Sequence, residues 1–374
     1  MKKTAWGQDL RLAARFLPGP ARRRCEAAGL LSEPKLDAII ISSLTNVRYL
    51  TGFTGSNAAL LLHKDGQAKL FTDPRYTIQA SQQADCPVKV ASGPLAKSVL
   101  AEIRRKGSKR IGFEADKLTV AQLEALRKDL PIRAELVPTA GLVESLRMVK
   151  DESEIALIRE SVTLNSNALA AALKRLKPGM SESALAAEID YQSRKLGADG
   201  PSFDTIVAAG SRSALPHAHP GEAKIEAGIV LIDMGAFLHG YASDMTRMVH
   251  LGKASPKYKR AYKAVLEAQL AAIEAVKPGA KTSAVDKAAR EVLKAHGLDR
   301  EFVHSTGHGL GLEIHEPPRI GRKDKSRLRT GMAITIEPGV YIEGWGGIRI
   351  EDTVLVTQSG CEILTPTARE LLEL

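Results

Sequence analysis

The chain has 374 residues, 44% hydrophobic and 4% aromatic, with a formal net charge of +10 and an isoelectric point near 9.4. That length suffices for two domains with proper cores, and no run reaches the roughly 18–20 apolar residues of a membrane-spanning helix. The basic balance could point to an anionic partner, yet residues 1–30 hold seven Lys/Arg against Asp9 and Glu26, so half the excess is a terminal segment and nucleic-acid binding is not expected.

Cys25, Cys86 and Cys361 are an odd number, far apart and without CxxC spacing. A disulfide framework is not expected on that pattern and a reducing compartment fits. Lys2 and Lys3 precede Thr4 to Leu17, a stretch broken by Gln8, Asp9, Arg11 and Arg15, so no apolar core of a signal peptide is present and the cytoplasm is the expected location. Pro18-Gly-Pro20 then breaks any helix.

A short helix is expected from Ala21, with Arg22, Arg23 and Arg24 as its solvated face. Strands follow at Asp37–Ser42, Asn57–Leu62, Ala68–Thr72 and Arg110–Phe113, with helices near 75–84, 94–106 and 119–130. That alternation is an α/β domain. Asn46–Asn57 and Phe71–Tyr76 read as polar loops between strands.

A linker near Gly141 to Asp151 leads into a helix with apolar residues at Ile155, Ile158, Val162, Leu169, Leu173 and Leu176, close to helical period, stopped by Lys177-Pro-Gly179. The same tripeptide recurs at Lys277-Pro-Gly279. Each follows a helical run and precedes an N-cap (Ser181, Thr282) and a second helix ending near Gly197 or Gly297. Two such helix pairs, each followed by an acidic hairpin, imply a duplicated domain with a pseudo-two-fold axis.

In the first hairpin, Gly228 to Val249, two strand-like runs flank a His239-Gly240 turn. With those residues as the loop, cross-strand partners have numbers that sum to 479, so Asp233 faces Thr246. Asp244, two residues from Thr246, is then the diagonal neighbour of Asp233 on the same face. In the second, Ile334 to Val356, Glu337 and Glu351 lie in apolar runs joined through glycines, and Arg349 shares a face with Glu351. Between the hairpins, Val303 to Glu316 carries His304, His308 and His315 among three glycines, which permit close backbone approach.

One Asp in a strand is commonly a turn, a cap or half of an ion pair. Four carboxylates gathered in an apolar sheet need a charge partner, and two divalent cations supply it. Oxygen-dominated ligation with one imidazole suits Mn²⁺, Co²⁺, Fe²⁺ or Zn²⁺. A close pair of such ions can ionise a water and polarise an amide carbonyl.

Leu231-Ile-Asp-Met-Gly235, Tyr241-Ala-Ser-Asp-Met-Thr-Arg247, Ser305-Thr-Gly-His-Gly-Leu-Gly311, Ile336-Glu-Pro-Gly339 and Gly347-Ile-Arg-Ile-Glu-Asp352 resemble, in order, the blocks of the M24 metallopeptidases with the pita-bread fold, a family that includes methionine aminopeptidase, aminopeptidase P and prolidase. Asn46–Asn57 and Phe71–Tyr76 resemble the N-terminal domain of aminopeptidase P, prolidase and creatinase. The resemblance implies a creatinase/prolidase-type N-terminal α/β domain over residues 1–145, ribonuclease H-like, and an α+β pita-bread catalytic domain over residues 150–374. It also implies that the two N-terminal loops are candidates for a rim limiting substrate length.

By the same resemblance, Asp244 and Glu351 bridge two metal ions, Asp233 chelates one, and His308 with Glu337 completes the other, with Mn²⁺ the expected ion. Glu337 would be the general base. His217 would approach the scissile nitrogen, His304 and His315 would line the proline pocket and steady the carbonyl oxygen of the intermediate, and Arg349 would orient Asp233 or contact substrate; His219 is a bystander. Met234 and Met245, where the family often has Ile or Phe, would alter packing only. The implied activity is hydrolysis of the Xaa-Pro bond in dipeptides or at the N-terminus of peptides, by a homodimer. The alternatives are a methionine-aminopeptidase-like enzyme, whose first 150 residues would be an unrelated appendage, creatinase, which uses no metal, and an inactive pita-bread module for interaction or nucleic-acid binding.

Overall fold

A computed structural model describes residues 19–374; the readings made above for residues 1–18 lie outside the described residues. By its contacts the chain divides into a unit that ends at Arg147 and one from Met148 to Leu374.

The N-terminal unit begins with helix α1 (Gly19–Leu30), strand β1 (Ala38–Ile41) and helix α2 (Leu44–Thr51). It continues with β2 (Ala58–His63), β3 (Ala68–Thr72), α3 (Thr77–Gln83), β4 (Val88–Val90), α4 (Leu95–Lys106), β5 (Arg110–Glu114), α5 (Val120–Lys128), β6 (Glu135–Thr139) and a short α6 (Glu144–Arg147). The sheet order is β4-β3-β2-β1-β5-β6. An antiparallel meander of β1 to β3 thus continues into parallel β5 and β6, as a ribonuclease H-like sheet does.

Two local readings change. Residues 46–51, read as part of a polar loop, belong to α2, because Ser43 caps its start and Gly52, at φ +79°, accepts the left-handed turn that ends it. Nor is the arginine run wholly solvated: Arg23 and Arg24 are buried. Arg24 donates to the Leu50 carbonyl at 2.7 Å and pairs with Asp85, while Arg23 lies 4.5 Å from the centroid of the Tyr49 ring. Both guanidinium groups meet the carbonyl end of α2, where its dipole favours a cation.

The second unit opens with α7 (Glu152–Leu173), started by a reciprocal cap between Asp151 and Glu154. Next come β7 (Met180–Ser181), α8 (Glu182–Lys195), β8 (Gly200–Pro201), β9 (Ile206–Ala209), β10 (Lys224–Ile225), β11 (Gly228–Met234), β12 (Ala236–Leu238), β13 (Tyr241–Ala242) and β14 (Met245–Leu251). The second helix pair is α9 (Pro256–Glu274) and α10 (Thr282–Ala295). Then follow β15 (Gly307–Gly309), β16 (Glu316–Ile320), β17 (Ala333–Ile336), β18 (Gly339–Ile342), β19 (Gly346–Arg349), β20 (Asp352–Val356), β21 (Cys361–Ile363) and β22 (Leu372–Glu373). Both repeated Lys-Pro-Gly turns place their glycine at positive φ, +85° at Gly179 and +82° at Gly279. Ser181 caps α8 as expected, but α10 starts after Lys281, and Thr282, inside the first turn, donates instead to Asp324 at 2.8 Å.

The two principal sheets run β22-β14-β11-β9 and β16-β15-β17-β20-β21. Val230, Ile232, Met234, Met245 and Val249 pack on Leu169, Leu185 and Ile189 of α7 and α8. Met234 and Met245 are therefore packing residues. Ile334, Ile336, Val354 and Val356 bury themselves with Val265, Ala268, Val285 and Ala289 of α9 and α10, each large side chain contributing about 1.5–3 kcal/mol. Among the described residues no helix is long and apolar enough to cross a membrane.

Candidate metal centre

The first hairpin has the register expected of a two-residue loop: Asp233 pairs with Thr246, Met234 with Met245 and Leu238 with Tyr241. His239 and Gly240 both take positive φ, +50° and +76°, which a tight hairpin turn of matching twist demands. On β11, positions 230, 232 and 234 face α7 and α8, so Asp233 takes the opposite face. In the second hairpin, Ile336 pairs with Asp352 and Gly339 with Arg349. Glu337 therefore faces Glu351. Ile334, Ile336, Ile348 and Ile350 join the cluster around α9 and α10, which leaves Glu337, Arg349 and Glu351 for the other side.

His308 sits at the middle of β15, a three-residue strand squeezed between β16 and β17. A Cβ on Gly307 would lie 1.9 Å from the Thr335 carbonyl oxygen, and one on Gly309 would lie 2.3 Å from that of Pro317. Only glycine fits on either side of the histidine. His308 Nδ1 is 2.9 Å from the Gly309 carbonyl oxygen, so it is the protonated nitrogen. Its Nε2 then faces Asp244 Oδ2 at 3.5 Å and Glu337 Oε1 at 3.6 Å. Donor atoms of Asp244, His308 and Glu351 lie within 4.8 Å of one another.

All nine positions singled out from the sequence, His217 and Asp233 through Glu351, line one cavity of about 800 Å³. His219, read as a bystander, lines it too. Arg349 reaches across the halves: Nη2 donates to Asp233 Oδ2 at 2.5 Å, Nε to Thr246 Oγ1 at 3.0 Å and Nη1 to the Tyr341 hydroxyl at 2.7 Å. Thr246 in turn donates to Glu351 Oε2 at 2.7 Å. Asp233 Oδ1, buried, has no hydrogen-bond partner.

Burial pushes the carboxyl groups of Asp233, Asp244 and Glu351 above the usual carboxylate range, and their mutual repulsion, with that of Glu337, adds to it. Four carboxylates with one guanidinium leave three negative charges in this pocket, so two divalent cations bring it within one unit of neutrality. The unpartnered Oδ1, the free Nε2 and the oxygen-rich donor set fit such ions.

Four groups escaped the sequence reading. Tyr341 joins Arg349 to His304: its hydroxyl lies 2.8 Å from His304 Nε2, and burial pushes its pKa up to about 12. Lys150 and Glu316 form a fully buried ion pair at 3.1 Å beside His315. Arg247 donates to the Glu351 carbonyl at 2.5 Å and pairs with Asp352 at 2.7 Å, behind the carboxylates. Arg319, exposed, lines the cavity mouth. The only signals for these were an aromatic in a glycine-flanked hairpin and charges in otherwise apolar runs.

Residues 156–358 match metallopeptidase family M24, and residues 23–149 match the Creatinase/Prolidase N-terminal domain. The chain is 37% identical over 344 residues to an Xaa-Pro dipeptidase of Pyrococcus furiosus, covering 91% of this chain and 97% of that one. It superposes with a TM-score of 0.92 on an Xaa-Pro dipeptidase from Bacillus anthracis, at 39% identity, covering 95% of this chain and 100% of that one. It superposes with a TM-score of 0.86 on an X-Pro aminopeptidase from Thermotoga maritima MSB8, at 35% identity, covering 91% and 98% of the two chains.

Proposed function

Because this chain belongs to metallopeptidase family M24, we propose that it is a metal-dependent hydrolase of the Xaa-Pro bond, acting on dipeptides or on the first bond of longer peptides. The observation that carries the reading is the convergence of four carboxylates and His308 on one cavity, with Asp233 Oδ1 left without a partner. Asp233 and Asp244 would hold one ion, His308 and Glu337 the other, with Asp244 and Glu351 shared; Mn²⁺ is the ion we expect, with Co²⁺, Zn²⁺ or Fe²⁺ as substitutes. Bound there, the ions supply a polarised carbonyl and a water acidic enough to lose its proton near neutral pH.

Glu337, whose Oε1 accepts from Thr335 at 3.2 Å, would take that proton. A bond to proline has a tertiary nitrogen and no amide N–H, so the site needs no acceptor for one. The departing nitrogen needs a proton, and His217, exposed on the cavity wall, would approach it. Burial lowers the pKa of His304 and keeps it neutral. With Nδ1 on the Ser305 carbonyl and Nε2 on Tyr341, both its nitrogens are engaged. His304 therefore shapes the proline wall, while His315, against the His308 ring at 4.4 Å between centroids, is free to steady the developing oxyanion. Arg349 holds Asp233 and works against the upward push that burial gives its carboxyl pKa.

The methionine-aminopeptidase-like alternative would leave residues 23–149 unrelated to the function, whereas they match a domain of the proline peptidases. The reading extends to a cytoplasmic homodimer, in keeping with three free cysteines; sedimentation velocity would test the assembly. Hydrolysis of Gly-Pro and Leu-Pro, beside an Xaa-Pro-Pro tripeptide, with Mn²⁺ and with a chelator, tests the activity. Metal-dependent release is expected, and the preferred substrate assigns the length preference. No release from any of them would remove the peptidase reading.

A further inference from the structure

A second cavity, of about 710 Å³, opens between residues 299–305 and 319–324. It shares His304, Ser305, Arg319 and Asp324 with the catalytic cavity, so the two form one continuous trough. Its lining is basic: Arg290, Arg300, Arg319, Arg322 and Lys323 stand against Asp299 and Asp324. Arg290 is committed elsewhere, paired with Asp286 at 2.8 Å and donating to the Phe302 carbonyl at 2.9 Å. Asp324 is committed too, accepting from Ser326 N–H at 2.7 Å and from Thr282 at 2.8 Å. The other four cations are exposed and make no ion pair among the described residues.

Like charges held around a concavity raise the local concentration of anions. The metal centre does not need these cations, since its negative charge is met from within. The trough also has a polarity. At its catalytic end Asp204, exposed, lines the wall, which suits the ammonium group of a peptide's first residue. The basic end suits a carboxylate, and an ammonium there would be repelled. Chain direction follows from that asymmetry: the first residue lies toward Asp204, proline at the His304 wall, and whatever follows proline enters the second cavity.

We propose that this cavity is a subsite for the residues downstream of proline and that Arg300, Arg322 and Lys323 make it select peptides carrying an acidic side chain there. The proposal rests on the Xaa-Pro reading above. Exposed ion pairs are worth little singly, so a three- to fivefold preference is the scale to expect, roughly the effect of one such pair, and it should shrink with added salt.

The test uses the full-length Mn²⁺-loaded protein and three substrates: Ala-Pro, Ala-Pro-Glu-Ala amide and Ala-Pro-Lys-Ala amide. Wild type should cleave the Glu peptide about three- to fivefold better than the Lys peptide in kcat/KM. The double variant R322E/K323E, altered only at exposed side chains, should lose or invert that ratio and leave Ala-Pro hydrolysis unchanged. Calorimetric binding of Pro-Glu-Ala amide and Pro-Lys-Ala amide should follow the same order. Ala-Pro cleaved with equal rates on the two longer peptides, or with neither cleaved, would overturn the subsite alone. Failure on Ala-Pro as well would take the peptidase reading down with it.

Discussion

The two halves of the C-terminal unit can be laid over one another rung by rung. Asp233 faces Thr246 in the first hairpin as Glu337 faces Glu351 in the second, and β9 borders β11 as β15 borders β17. On that correspondence Thr246 matches Glu351, Arg247 matches Asp352, and buried Ala208 matches His308. The matched residues are not alike, and they bond to each other: Thr246 to Glu351 at 2.7 Å, Arg247 to Asp352 at 2.7 Å. The fold repeats while the chemistry is complementary. The second half supplies the imidazole, the glutamates and Arg349, which holds Asp233; the first supplies the aspartates and the donors Thr246 and Arg247, which hold Glu351 and Asp352.

If that division is right, E337Q should be the most damaging conservative change, lowering kcat on Leu-Pro by about 10²–10⁴-fold. Circular dichroism should show the fold retained. An effect under tenfold would place the base elsewhere.

Breaking the buried pair in the second half comes next. K150M removes the buried cation that faces Glu316 and should cost about 3–5 kcal/mol in urea unfolding of the C-terminal unit, with the KM for Leu-Pro rising because the segment around His315 loses its support. An unchanged unfolding midpoint would show the pair to be dispensable.

Metal removal sharpens the comparison across both hairpins. At a hundredfold excess over Kd, each ion should stabilise the fold by about 2.7 kcal/mol, seen as a higher Tm. The metal-free protein should show an unusual pH dependence. Asp244 and Glu351 have folded pKa values raised above the ordinary 3.8 and 4.5, so burying them costs nothing while protonated. The pH-dependent part of their stability contribution is intact below those ordinary values and is lost as pH rises through the raised folded pKa. The Tm of chelated protein should therefore fall on raising the pH from mildly acidic toward neutral, and the Mn²⁺-loaded protein should lack that fall. Parallel curves would mean that these carboxylates are not the ion's ligands.

The smallest effect tests the bridge between the halves. Y341F removes the hydroxyl shared by Arg349 and His304 and should lower kcat/KM by about three- to tenfold, roughly the worth of one ordinary intramolecular hydrogen bond. An unchanged value would show that Arg349 needs no help from this side.

Much of this was readable in the chain. A two-residue loop fixes register, so the His239-Gly240 turn alone put Asp233 opposite Thr246, and period two put Arg349 beside Glu351. The repeated Lys-Pro-Gly turns announced the duplication. What stayed hidden depends on distant partners. Lys150 and Glu316 are 166 residues apart, and nothing local marks either as buried. Arg23 and Arg24 looked solvated because a run of charge usually is, until helix α2 offered them its carbonyl end. That helix was itself concealed by polar residues, and only its caps, Ser43 and Gly52, betrayed it.

The Arg247–Asp352 tie has a bearing on ancestry and on engineering. Pairing two copies of the first half would set one guanidinium against another, and two copies of the second would oppose carboxylates. Fragments divided in the turn at Gly252–Ser255 and produced together should hence recombine only as unlike partners. The duplication has become irreversible, each copy now being the other's counter-ion.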